Sequence, residues 1–154
     1  MEASCSQRHL QAMDKINALV GIRERTCAEL IERLQRSGFS AAESAQAVES
    51  AVACGLVDET RYAHVLIRSK VNAGWGKRKI VERLKRDGVP ADIIASCEDC
   101  FPGRQDDLDR AVRELSKRST SSADPYAAYM RRLVGKGYSV DLAREAVETY
   151  LANG

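Results

Sequence analysis

One twelve-residue pattern occurs three times in the chain, and this repetition limits the folds that the sequence can adopt. The copies align without gaps as ELIERLQRSGFS (29–40), KIVERLKRDGVP (79–90) and AYMRRLVGKGYS (128–139). An arginine, a leucine and a glycine recur at equivalent positions, and the glycines Gly38, Gly88 and Gly137 are 50 and 49 residues apart. Self-similarity at a fixed period is typical of repeat architectures. We therefore expect three similar units.

Each repeated glycine follows an amphipathic run and precedes an apolar residue. This is the expected position just after a helix end, where glycine adopts a left-handed backbone without a Cβ penalty. Helix-starting residues follow: Ser40 with Glu43 makes a capping box, Ser139 can cap alone, and Pro90 fits an early helix position. The pattern predicts a central helix, a glycine turn and a further helix in every unit.

Another helical pattern precedes each central helix. In the second unit, residues 59–72 predict a helix that Asp58 caps, and Asp124 with Pro125 provides the first positions of the third central helix. The predicted apolar face of the 59–72 helix consists of Tyr62, Val65, Leu66 and Ser69. The equivalent stripe of the first unit consists of Leu10, Met13, Ile16 and Val20.

The sequence therefore predicts an all-α fold of three tandem three-helix repeats in an elongated array, because no alternating strand pattern persists. The predicted units are 1–54, 55–100 and 101–154, with 101–107 and 117–125 as the most loop-like stretches. Glu98 stands where the other repeats have Val48 and Val147. The last helix of the second repeat is accordingly expected to be shorter or rotated.

Several features favour a cytoplasmic protein. No apolar stretch approaches the roughly 20 residues that a transmembrane helix needs, and the first residues lack the apolar centre of a signal peptide. The five cysteines are an odd number without the spacing of a disulfide framework, which favours reduced thiols. Cys97 and Cys100 have CxxC spacing, but no second pair and no histidine at ligand spacing follow, so we interpret them as incidental thiols.

Charge is uneven along the chain although the net charge is only +2. Residues 61–86, here called the basic block, contain nine Lys or Arg and one acid, whereas residues 87–109 contain seven acids and one Arg. A local basic block in a chain of low net charge indicates a surface that faces a polyanion. On its central helix, Ile80 and Leu84 set the buried direction. Arg78, Glu82, Lys85 and Arg86 are then expected to point outward, with Lys79 and Arg83 on a flank.

The candidate residues for binding a partner or nucleic acid lie in the basic block and in a weaker patch of the third repeat. They are Arg68, Lys70, Trp75, Lys77, Arg78, Lys79, Arg83, Lys85, Arg86, Arg131, Arg132 and Lys136. Trp75 either stacks on a base or anchors a partner, or it covers the core where the chain turns. For the basic residues, the simpler alternative is a solvated helix face without a binding role.

No motif for catalysis accompanies these residues. Neither His9 nor His64 has a nucleophile beside it in a recognisable motif, and the sequence contains no glycine-rich phosphate loop and no HExxH. The sequence predicts a non-enzymatic protein without a catalytic residue, metal or cofactor.

Three segments resemble one known family. GLVDETRYA (55–63) resembles the Gly-Leu-Ile-Asp-Asp-x-x-Tyr-Ala motif of RecX proteins, and GWGKRKIVERLKRDGV (74–89) resembles the segment that follows it in that family. ALVGIRERTCAELIERLQRSGF (18–39) is similar to the family's first-repeat segment, with its Arg-x-Arg-Ser/Thr element and Glu-Leu pair. The third repeat matches more weakly, and Cys97 and Cys100 lie outside the family pattern.

The resemblance implies three tandem three-helix repeats and a regulator that binds the RecA protein and lies in the groove of the RecA–DNA filament. It also implies inhibition of the recombinase, ATPase and coprotease activities, and thereby a role in homologous recombination, DNA repair and the SOS response. We expect a monomer that contacts no membrane, and direct contact with DNA is a further hypothesis.

Two other functions are possible. A stand-alone, sequence-tolerant DNA-binding helical module is one, although the basic surface is poor in the Asn and Gln that read adenine edges. An interaction scaffold without nucleic-acid contact is the other, and it would leave the basic block unexplained.

Overall fold

The computed structural model describes the backbone of residues 2–154 and the side chains from Cys5 onward. Its α-helices are α1 (Glu2–Val20), α2 (Cys27–Arg36), α3 (Ala41–Ala53), α4 (Glu59–Asn72), α5 (Lys77–Arg86), α6 (Ala91–Ser96), α7 (Arg104–Ser116), α8 (Pro125–Gly135) and α9 (Val140–Asn153). A 3-10 turn, Glu98–Cys100, follows α6, and residues 2–154 contain no strand. The all-α prediction is confirmed. No described helix is both long and apolar enough to cross a bilayer.

The chain forms two compact units, and both α4 and α5 contribute residues to each. The first comprises residues up to His64 together with Leu84–Ala95, and the second comprises Val65–Arg83 with Ser96–Gly154. Repeat boundaries after residues 54 and 100 stay a prediction.

Each unit has its own apolar core. The core of the first unit comes from α1, α2, α3 and the turn before α4: Ala12, Ile16, Leu30, Leu34, Ala47, Val48, Ala51 and Val57. The core of the second unit comes from α7, α8 and α9 with the turn between the last two: Ala111, Leu115, Tyr129, Leu133, Tyr138, Leu142, Ala143, Ala146 and Val147. Alanine is frequent in both cores, which allows the helix backbones to approach closely.

Two of the predicted apolar faces are partly wrong. In α1 the chain buries Ala12 with Ile16, while Leu10 is 62% exposed. In α4 it buries Ala63 with Ile67, while Val65 is 50% exposed. In both helices an alanine and an isoleucine four residues apart are buried. Hydrophobic periodicity gives more weight to the larger residues. It therefore missed Ala12 on α1, where Ile16 was predicted correctly, and it placed the stripe of α4 one position too early.

The helix starts agree well with the capping pattern. Ser40 and Glu43 form both halves of the capping box. Ser139 accepts a hydrogen bond from the Leu142 amide, and Asp124 accepts one from the Ala127 amide with Pro125 at the start of α8.

Three further helix ends can be compared with the sequence expectations. Asp58 accepts a hydrogen bond from the Arg61 amide at 3.1 Å, as expected of a cap for α4. Pro90 directly precedes α6 instead of lying inside it. α6 has only six residues, against 13 in α3 and 14 in α9, so the expected shortening is observed. The predicted loop at 101–107 is wrong in its second half, since α7 already begins at Arg104.

The repeated glycines adopt the predicted left-handed backbone, with φ of 99° at Gly38, 91° at Gly88 and 103° at Gly137. Their surroundings differ. A Cβ on Gly38 would meet nothing within 4 Å, whereas one on Gly88 would lie 2.6 Å from the Ala28 Cβ. A Cβ on Gly137 would lie 2.5 Å from the Lys79 Cβ and 2.7 Å from the Lys79 backbone nitrogen. The glycine of the third repeat is therefore needed both for its backbone angle and for space.

We predict that Gly137→Ala lowers the free energy of unfolding by about 3 kcal/mol, because left-handed strain and overpacking combine. Gly38→Ala should cost only about 1 kcal/mol, since strain acts there alone. Gly135→Ala is the matched control two residues away, where a Cβ has open space and the backbone angle is not left-handed. Urea unfolding followed by helical circular dichroism measures all three variants. Equal losses for Gly137→Ala and Gly38→Ala would contradict the role of close packing.

Candidate functional site

The basic helix α5 has the orientation that the sequence predicts. Ile80 and Leu84 are fully buried. Arg78, Glu82, Lys85 and Arg86 are exposed, and Lys79 and Arg83 are half-buried on the flank. The helix therefore presents its bases outward, although their binding role stays a prediction.

Two bases in the first turn of α5 already have acidic partners. Lys77 forms an ion pair with Glu98, and its ammonium group also lies 5.2 Å from the centre of the Phe101 ring. Arg78 pairs with Glu82 at 3.0 Å and donates to the carbonyl oxygen of Val134. Both ion pairs are largely exposed, and pairs of this kind contribute little free energy. A phosphate group could therefore displace either carboxylate.

Trp75, the single tryptophan of the chain, lies between Lys70 and Lys79. The ammonium nitrogens of these lysines are 4.6 and 4.0 Å from the indole ring centre, within the range of cation–π attraction. The ring is half-buried, and within residues 5–154 neither lysine forms an ion pair with a carboxylate. We call Trp75, Lys70 and Lys79 the tryptophan platform.

Hydrogen bonds fix the backbone beneath the platform. The Trp75 amide donates to the Lys70 carbonyl at 3.0 Å, and the Gly76 amide donates to the Lys136 carbonyl at 2.8 Å. The Arg110 guanidinium donates to the Trp75 carbonyl, and the Asp107 carboxylate balances its charge at 2.6 Å. The indole is thus attached to a rigid support, which lowers the entropy lost on binding.

Tyr138 supports the same segment from below. Its hydroxyl donates to the Gly74 carbonyl at 2.8 Å in a buried position. Burial raises the pKa of Tyr138 to about 12, and the neighbouring Arg110 opposes this shift only in part. The un-ionised phenol is thus the form that holds Gly74, a residue whose backbone is left-handed at φ 90°.

A cleft of about 560 Å³ opens beside Tyr138 at the N-terminal ends of α5, α7 and α9. Its lining includes Tyr138 and Leu142, and Lys77, Arg78 and Arg104 are its basic residues. Arg104 pairs with Glu145 at 2.6 Å and with Asp141 at 3.3 Å. The cleft therefore joins an apolar wall to bases that already have partners, and it lies next to the first turn of α5.

The remaining candidates are less closely grouped. Arg68 and Arg131 are exposed. Arg132 donates to the Arg118 carbonyl and lies 5.2 Å from the Tyr129 ring centre, and Lys136 pairs with the buried Glu114 at 3.7 Å. The third-repeat patch thus consists largely of bases with structural contacts.

Sequence reasoning missed Arg110 and Tyr138 as supports of the Trp75 segment. Tyr138 occupies the repeat position of Phe39 and Val89, so its hydroxyl group is the one feature that separates it from its equivalents. That difference was a signal, because a buried tyrosine hydroxyl normally needs a hydrogen-bond partner. Arg110 gave no comparable signal.

Comparison with known proteins gives a consistent result. Residues 58–97 match the family described as RecX, second three-helix domain. The regulatory protein RecX of Trichlorobacter lovleyi is 35% identical to this chain, over 82% of this chain and 86% of that protein. The chain belongs to the RecX family. The regulatory protein RecX of Mycolicibacterium smegmatis is 32% identical, over 95% of this chain and 82% of that protein.

The crystal structure of RecX from Lactobacillus salivarius has the same fold. The TM-score is 0.84 at 14% sequence identity, covering 96% of this chain and 99% of that one. The expected family and the expected helical fold are thereby confirmed. The RecX relatives are named as regulatory proteins, so this chain is a regulatory protein and not an enzyme.

We predict that the Tyr138 phenol ionises in the folded protein with a pKa of about 12, against about 10 for an unperturbed tyrosine. Ultraviolet difference titration of the wild type against Tyr138→Phe isolates this one phenolate. Because the folded pKa is raised, the stability from this group is complete below pH about 10 and declines as the pH rises towards about 12. A Tyr138 titration midpoint near 10 in the folded protein would contradict its buried hydrogen bond.

Proposed function

We propose that this RecX-family protein binds the RecA–DNA filament through α5 and the tryptophan platform and thereby inhibits RecA. The observation that carries the proposal is the platform itself: an indole on a fixed backbone, flanked by two ammonium groups that form no ion pair with a carboxylate of residues 5–154. The RecX relatives and the resemblance of residues 18–39 and 55–89 support RecA as the protein partner.

The chemistry of the platform suits a single strand of nucleic acid. A base has an apolar face that can stack on indole, and the adjacent phosphates attract Lys70 and Lys79. The outward bases Arg78, Lys85 and Arg86 add long-range attraction to the same polyanion. Contacts with phosphate and stacking on the face of a base carry little sequence information, so the contact is expected to tolerate any sequence.

We expect inhibition because the bound protein occupies a position on the filament. A protein that is held on the filament by phosphate contacts and by contacts with RecA obstructs further RecA subunits or the conformational cycle of those already bound. Both effects lower DNA-dependent ATP hydrolysis, strand exchange and coprotease activity. The cellular consequence would be restraint of homologous recombination, DNA repair and the SOS response, by a protein that acts as a cytoplasmic monomer.

A second candidate function is direct, sequence-tolerant DNA binding without RecA. The tryptophan platform favours it to the same degree, because stacking and phosphate contacts require no protein partner. The two functions differ in whether RecA must be present for tight binding to DNA, and this requirement can be measured.

We predict that substoichiometric wild-type protein lowers RecA's single-strand-dependent ATPase and that Arg78→Ala/Lys85→Ala/Arg86→Ala weakens this effect. Removing up to three phosphate contacts should reduce the slope of log affinity against log salt by about 2. Helix content should be preserved, because alanine is the best helix former. Arg33→Ala is the matched control, since Arg33 occupies the repeat position of Arg83 outside the basic block.

Two outcomes would count against the proposal. Unaltered RecA activity over a wide range of folded wild-type protein would exclude inhibition. If the triple variant bound filaments as tightly as the wild type at every salt concentration, α5 would be a solvated surface without a binding role.

A second prediction uses Trp75 as its own reporter. Because the chain has one tryptophan, a thymidine oligonucleotide that stacks on the platform should quench the intrinsic fluorescence without RecA. Lys70→Gln/Lys79→Gln should reduce the salt slope by about 1.4, which corresponds to two single-strand phosphates. Lys15→Gln, an exposed position on α1, is the control. Quenching that the double variant leaves unchanged would remove the two lysines from the site.

A further inference from the structure

Two cysteine side chains meet at the 3-10 turn after α6. The Cys100 amide donates to the Cys97 carbonyl at 2.9 Å, which closes the turn. The two sulfur atoms lie within 4.8 Å of each other. In such a turn the Cα atoms of the first and fourth residues are less than about 7 Å apart, and a disulfide spans about 4.4–6.8 Å between Cα atoms. The turn can therefore accept a disulfide without unfolding.

The two thiols differ in access. Cys97 is completely buried, whereas Cys100 is exposed. One sulfur can therefore react with a dissolved molecule while the other waits beside it, protected from solvent. This arrangement of an attacking and a resolving thiol is the one that thiol–disulfide exchange requires.

The same turn contacts the first base of α5. Glu98, the residue after Cys97, forms the ion pair with Lys77, and the Phe101 ring after Cys100 lies 5.2 Å from the Lys77 ammonium nitrogen. Of the two partners of Lys77, Glu98 lies between the cysteines in sequence and Phe101 directly follows the second cysteine. A covalent bond across this turn would hold both partners in place.

We propose that Cys97 and Cys100 form a dithiol–disulfide site whose oxidation keeps Lys77 paired with the Glu98 carboxylate and held against the Phe101 ring. The site would exchange with low-molecular-weight disulfides of the glutathione class. The disulfide itself is independent of the function proposed above. Its regulatory meaning rests on that function, because Lys77 is one of the bases assigned to filament binding.

The reaction proceeds in two exchange steps. The Cys100 thiolate attacks one sulfur of the dissolved disulfide, whose S–S bond breaks, and the departing thiolate takes up the proton that Cys100 has lost. The Cys97 sulfur then attacks the Cys100 sulfur of the mixed disulfide, and the second thiol leaves with the Cys97 proton. The two cysteines are oxidised to one disulfide, and the external disulfide is reduced to two thiols.

Burial, the neighbouring Cys97 and the Asp99 carboxylate raise the pKa of the Cys100 thiol, and Arg68 opposes this shift in part. Since the thiolate is the attacking species, this shift slows exchange at neutral pH, and the rate should rise as the solution becomes more alkaline. Cys27 is a poorer competitor, because burial and its contact with Glu59 raise its pKa to about 12.

The test uses the full chain with Cys5→Ser, Cys27→Ser and Cys54→Ser, which leaves Cys97 and Cys100 as its two thiols. As the oxidised fraction of a glutathione buffer increases, we expect the protein to stay monomeric and its mass to fall by two hydrogen atoms. Both thiols should become undetectable by thiol titration. Peptide mapping should locate the disulfide between residues 97 and 100. Adding Cys97→Ser should leave only a glutathione adduct on Cys100, and adding Cys100→Ser should abolish the reaction.

The reactivity of the Lys77 amine is then measured in the absence of RecA. Labelling by an amine-reactive ester, read at Lys77 and at Lys15 as the internal control, should be about twofold slower at Lys77 in the oxidised protein, the size that an exposed ion pair supports. Glu98→Gln should remove this difference while the disulfide still forms. A protein that stays reduced, or forms only mixed or intermolecular disulfides, overturns the site. Equal rates of Lys77 labelling in the reduced and oxidised proteins would overturn the proposed effect of the disulfide on Lys77, whatever is observed with RecA.

Discussion

The candidate site depends on a direct backbone contact between the first turn of α5 and the glycine turn after α8. The Gly76 amide donates to the Lys136 carbonyl and the Arg78 amide donates to the Gly137 carbonyl. These bonds pair unsatisfied amides at a helix start with carbonyls at a helix end, where the partial charges are opposite. They form only because neither Gly76 nor Gly137 carries a Cβ. Trp75 and Lys77, which flank the contact, owe their positions to it.

The first unit contains a related junction built from different atoms. There the start of α2 meets the glycine turn after α5, where the Thr26 hydroxyl donates to the Asp87 carbonyl at 2.9 Å and Gly88 lies against Ala28. In this junction a side-chain hydroxyl donates to the carbonyl of the glycine turn, whereas backbone amides donate in the other junction. The glycine that ends a central helix thus serves twice, as a turn and as a docking point for another repeat's central helix. The glycine of the first repeat, Gly38, keeps only the first role.

This division of roles explains which features were predictable from sequence. The glycine turns, the capping box at Ser40 and the outward direction of α5 depend on neighbours within a few residues, and all three were predicted correctly. The buried alanines of α1 and α4, the supports of Trp75 and the meeting of Cys97 with Cys100 depend on how elements pack or on how a turn closes. Hydrophobicity ranks alanine low, so no local pattern could identify Ala12 or Ala63 as buried residues.

The bases around α5 are held in two different ways, and the difference bears on what they can bind. Lys77 and Arg78 are paired with carboxylates, so a phosphate must displace an acid to reach them. Lys70 and Lys79 are held over an aromatic ring, which attracts a cation without neutralising its charge. A phosphate can bind these two ammonium groups while the indole still holds their side chains in place. In the proposed function, the strength of phosphate binding should therefore depend more on the partners of each base than on the number of bases in the block.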